Sequence, residues 1–123
     1  MTSQSEAFMR KMLEFLPSTE ASYRESIEFN GEVLETVIIE SVFMPAFIEL
    51  IRQEQNIDLL ERIFEYFEEV SNDKDTHLIN TFSITVLEIL GNENNILRTA
   101  KKYMGPKTTK MQIEADKALG REV

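Results

Sequence analysis

Cysteine and tryptophan are absent from this chain, histidine occurs once, and 123 residues contain only four glycines and three prolines. Each scarcity closes something off. Without cysteine there is no disulfide, no thiolate nucleophile, no iron–sulfur cluster and no cysteine-bound zinc. The lone histidine, His77, excludes a two-histidine zinc site and the paired Glu-x-x-His ligands of di-iron bundles. No metal or cofactor is therefore expected. No apolar run reaches the roughly 18 residues of a membrane span, and the opening MTSQSEAFMRKM has no long apolar segment followed by a cleavage site. A soluble, cytoplasmic chain is the simplest expectation.

What is present favours helix. The apolar fraction is 42%, including eight Phe and six Met, enough to offset the entropy of ordering one domain. Leu, Ile, Glu, Lys and Met dominate, and all are good helix formers. The expectation is an all-α single domain over residues 1–123, with about six or seven helices packed as antiparallel hairpins, HEAT/armadillo-like or an irregular bundle. No clean repeat period is visible.

Ser3 and Glu6 have capping-box spacing, and Phe8, Met9, Met12, Leu13, Phe15 and Leu16 recur helically up to Pro17. A short helix is expected between Ser18 and Asn30, with Gly31 as its C-terminal cap. From Glu32 to Gln55 the spacing is helical although VIIESVFM is β-branched, and Pro45 must either kink this helix or open a second one. Asn56 caps the clearest helix, with Leu59, Leu60, Ile63, Phe64, Phe67 and Val70 on one face. Asp73 is expected to cap the next, which runs to Gly91, and Asn92 to restart the chain. The last helix starts at Pro106 or Thr108 and runs through Met111, Ala115 and Leu119 to Gly120.

The stretch KKYMGPKTTK, residues 101–110, is where a phosphate-binding reading would be made. A Walker-type loop needs two glycines, Lys-Ser/Thr directly after the second, and a strand in front. Here one glycine follows a helix, so Gly105 is expected to be a left-handed C-cap and Pro106 a stop. Nucleic acid is disfavoured by charge. Residues 1–92 carry 18 acids and 6 bases, and residues 93–123 carry 4 acids and 7 bases, so most of the molecule repels polyanions and attracts cationic proteins.

Catalysis finds no constellation. His77 is the sole imidazole base for any Ser-His pair and no nucleophile-elbow sequence accompanies it. Asp73 and Asp75 imitate the start of a calcium loop, yet Leu78 and Ile84 stand where its glycine and closing glutamate belong. No catalytic residue is expected. The feature left over is an acidic stripe: Glu54, Asp58, Glu61, Glu65 and Glu68 step by four, three, four and three, with Glu69 beside them and Tyr66 at the edge. Such a stripe is either the solvated side of an amphipathic helix or a face that meets a basic groove, with Tyr66 either an anchor or a core-margin residue.

YMGPKT at 103–108, with VLEIL at 86–90 before it and a final helix ending in ALGR, resembles a family of small, acidic, α-helical bacterial domains. The similarity runs from about Asn56 to Arg121 and includes LLERIFEYFEE. Most members are uncharacterised, and similar domains occur among immunity proteins of toxin–immunity pairs, including those of contact-dependent growth inhibition. The resemblance implies an immunity protein that neutralises a cognate toxin. A basic nuclease is the toxin that an acidic face would suit. The competing expectation is a helical adaptor that docks a peptide between its helix pairs. Self-association stays open.

Overall fold

In the computed structural model, which describes residues 1–121, seven helices are present and no strand is found among the described residues. They are α1 (Ser3–Phe15), α2 (Glu20–Asn30, entered through a 3-10 turn at Pro17–Thr19), α3 (35–53), α4 (Ile57–Ser71), α5 (76–90), α6 (Asn94–Lys101) and α7 (Pro106–Ala118). Helix α6 returns to pack on α3, and α7 packs on α4 and α5. The result is an irregular bundle, because the units of a solenoid touch only their chain neighbours. No helix among the described residues is long and apolar enough to cross a membrane.

One core serves the whole bundle. Phe8, Phe43, Phe47, Phe64, Phe67 and Phe82 are all buried, and Phe67 makes edge-on contacts with Phe47, Phe64 and Phe82 at centroid distances of 5.1–5.4 Å. Edge-to-face pairs of this kind add to the stabilisation from burial alone.

Both long interior helices contain one widened turn, at Ile39–Phe43 in α3 and Ser83–Leu87 in α5. In α3 the Met44 amide reaches back to the Ile39 carbonyl, five residues away. Pro45 follows directly. It has no amide to donate and would crowd the carbonyl four residues back, so a wider turn before it lets the helix continue. Both expectations for Pro45 are thus partly met: it lies in the first turn of a second α-helical segment, Met44–Gln53, yet the rod is unbroken. In α5 the Thr85 hydroxyl donates to the Thr81 carbonyl, which competes with the regular ladder.

The caps differ in detail from their sequence reading. Thr2 and Ser5 form the first capping box, in place of Ser3 and Glu6, because the helix starts one residue earlier than the Ser3–Glu6 spacing implies. Asp75 caps α5, and Asp73 instead accepts from the Asp75 amide in the turn before it. Glu93, not Asn92, precedes the first residue of α6. Gly31 is left-handed at φ 73° and Asn56 accepts from the Leu59 amide, both as expected.

Helix α7 buries mainly polar side chains. Leu119 is 47% exposed and Met111 half-buried, while Thr108, Gln112 and Asp116, spaced four apart, are buried with Ala115. Partners for the polar atoms decide the face. Thr108 and Ser71 hydroxyls lie 2.7 Å apart, Gln112 donates to the Leu87 carbonyl at 2.9 Å, and Asp116 pairs with Arg121 at 3.0 Å. Arg121 also donates to the Glu88 carbonyl. This polar seam ties the end of α5 to α7, and burying a hydrogen-bonded polar group costs far less than burying an unpaired one such as Gln112 Oε1, which has no partner among the described residues.

Candidate functional site

Leu60, Ile63, Phe64, Phe67 and Val70 of α4 are buried, so its acidic face is turned outward by the same periodicity. The stripe does not stay whole. Glu54 lies in the bend before α4 at φ 46°, the one non-glycine with positive φ among the described residues. It accepts from the Tyr103 hydroxyl at 2.7 Å and pairs with Lys102 at 3.1 Å. The Tyr103 hydrogen bond, helped by Lys102, holds the Glu54 carboxyl below the usual carboxylate range, and the same bond raises the Tyr103 pKa.

Glu68, at the far end, reaches the N-terminus of α7. It accepts from the Lys107 amide at 3.0 Å, the Thr108 amide at 3.0 Å and the Thr108 hydroxyl at 3.1 Å. Burial pushes its pKa up, but the Thr108 and Lys107 amides and the Thr108 hydroxyl outweigh that and hold it low. Gly105 is not the left-handed cap expected of it. Its φ is −75°, it precedes α7, and a Cβ there would come within 2.5 Å of Glu68 Oε1. The GPKT sequence is therefore a carboxylate-binding helix start, and the protein's own Glu68 occupies it. Gly91, by contrast with the extended Gly105, is right-handed helical, and an added Cβ would collide with the Arg121 guanidinium and the Asp116 carboxylate.

The middle of the stripe remains outside. Asp58 makes an exposed pair with Arg62 at 3.3 Å. Glu61, Glu65 and Glu69 are exposed and have no ion-pair partner among the described residues. At four-residue steps they form one row, spaced about 6 Å along the helix axis. Tyr66 is at the core margin: its ring is stacked on Phe8 at 6.1 Å and tilted against Phe15 at 5.9 Å. Burial, with the Glu69 charge second, pushes its hydroxyl up to about 12. Lys11 lies over both the Phe15 and Tyr66 rings, 5.3 and 5.9 Å from their centroids. Glu65, Tyr66 and Glu69 thus share a cleft of about 250 Å³ with Lys11, Phe15 and Arg62, whereas Glu54 and Glu68 are engaged elsewhere.

Residues 9–119 match the profile of an uncharacterised family, described as Domain of unknown function (DUF7674). The chain belongs to this family. No curated protein and no solved structure matches it.

Two features of this DUF7674 domain escaped sequence reading. His77 Nε2 is 2.8 Å from Glu35 Oε1; the Glu35 side chain is 11% exposed, and its second oxygen is buried with no partner. The two residues are 42 positions apart, so local spacing carried no sign of the pair. The other is α2, which has no buried residue. Its weak apolar pattern was the available signal, and Phe29 near its end is 90% exposed.

Proposed function

We propose that this domain is an immunity-type binding protein that covers a cationic protein, a nuclease toxin being the best fit, with the exposed acidic row of α4. The observation that carries the reading is that Glu61, Glu65 and Glu69 stand in an exposed row with no ion-pair partner among the described residues, beside an aromatic cleft at Tyr66 and Phe15. Binding rather than catalysis is the mode. A cleft that binds polyanionic RNA or DNA is lined with Lys and Arg, and a row of carboxylates is complementary to it. Lys11 on the two rings occupies the position that an incoming cation would take, so an arginine of the partner would exchange with it.

The test uses the neighbouring reading frame's product, expressed with this chain. A stoichiometric, salt-sensitive complex is expected, weakened on the order of a hundredfold by E61K/E65K/E69K, since charge reversal replaces attraction by repulsion at three points. An unchanged dissociation constant for the triple variant would reject the α4 face. Glu54 and Glu68 are left intact in this variant because they hold the fold.

A further inference from the structure

Six large apolar side chains are exposed among the described residues, and four of them, Met1, Phe29, Val37 and Ile84, border two adjoining grooves. The first groove, about 780 Å³, runs between α2 and α3 past Phe29. The second, about 530 Å³, runs between the start of α3 and α5 past Ile84. Val37 lines both, which makes them one continuous strip. Phe29 at 90% exposure is the extreme case, because an isolated phenyl ring gains nothing from water and a contiguous apolar strip marks a contact surface.

Charge identifies the occupant. Glu25 and Glu28 line this strip, are exposed and have no ion-pair partner among the described residues. Arg24 of α2 is tied to Glu20 at 2.8 Å, and His77, which lines the second groove, is paired with Glu35. A second copy of this chain would set acid against acid, which is unfavourable across an interface. Nucleic acid and anionic membrane are repelled for the same reason.

We infer that the α2–α3 groove and its continuation to α5 dock an amphipathic helix of another protein, with apolar side chains on Phe29, Val37 and Ile84 and flanking lysines or arginines facing Glu25 and Glu28. Helix α2 is suited to this, since none of its residues is buried and its outer surface contributes little to the core. The surface is separate from the acidic row of α4 and stands whether or not that row binds a toxin.

The probe is a synthetic peptide of about four helical turns with Leu and Phe on one face and Lys on the other, titrated into the isotope-labelled full chain by NMR. A control peptide has the same composition with the apolar residues dispersed. The expected result is shifts centred on Phe29, Val37 and Ile84 with the first peptide alone, roughly tenfold weaker binding to F29S, and a similar loss for E25K/E28K. The α4 variant E61K/E65K/E69K binds the peptide as the parent does, which separates this surface from the toxin-binding reading. Equal binding of both peptides, shifts centred on α4, or indifference to F29S overturns the inference. So does a concentration-dependent dimer that F29S dissolves, because the occupant would then be a second copy.

Discussion

The joint between α4 and α7 is polar on the inside, and the groove between α2 and α3 is apolar on the outside. At the joint, Ser71, Thr108, Gln112 and Asp116 are buried with hydrogen-bond partners drawn from three helices and the Arg121 segment. At the groove, Phe29 of α2 and Val37 of α3 meet water, and α2 touches the core only through the half-buried Tyr23 and Ile27. Composition does not distinguish a structural region from a binding region here; completion of contacts does. The joint has nearly all of its donors and acceptors matched internally, and the groove leaves both apolar surface and negative charge unanswered.

Substitutions can break that contrast on either side. The largest effect is expected from Asp116→Ala, which strands a largely buried Arg121 and removes an acceptor from Gln112. Urea denaturation should show a loss of about 3 kcal/mol, the lower range for breaking a buried pair. Gly105→Ala comes next, at about 2 kcal/mol, because its Cβ displaces the Glu68 carboxylate from the α7 amides. In a Glu68→Ala background the same substitution should be nearly free, and a double-mutant cycle by denaturation reads the coupling. The smallest effect belongs to the groove: Phe29→Ser should move stability by less than about 0.5 kcal/mol in the same assay, as expected of a side chain with few internal contacts. A large loss there would mean that Phe29 supports the fold, and the contrast between the two regions would collapse.

Much of the architecture could be read from residue spacing. The α4 face from Leu60 to Val70 is buried as its periodicity implied, and Asn56 and Gly31 cap as their side-chain chemistry dictates. These features are local, governed by a few neighbouring residues. What escaped was decided across long separations: Glu68 meets residues 39 and 40 positions away, and Glu54 meets partners 48 and 49 positions away. An acidic periodicity cannot reveal which of its members will find an internal donor, so the ridge of five looked uniform and is not. Gly105 was read as a left-handed cap and Gly91 as a helix end, and both are required instead by close approach of a distant side chain. The buried polar face of α7 was not legible, because a polar face looks like a solvent face until its partners are known.

The reach of Glu68 into the start of α7 also governs how the chain can be divided. Severed at the turn after α5, the first piece would keep an anionic side chain with its two amide donors gone and a serine hydroxyl without its threonine neighbour. The second piece would hold two short helices around an unfilled set of amides. Neither fragment is a self-sufficient unit, because the last helix supplies the socket and the middle of the sequence the bolt, and the two halves are interdependent in folding.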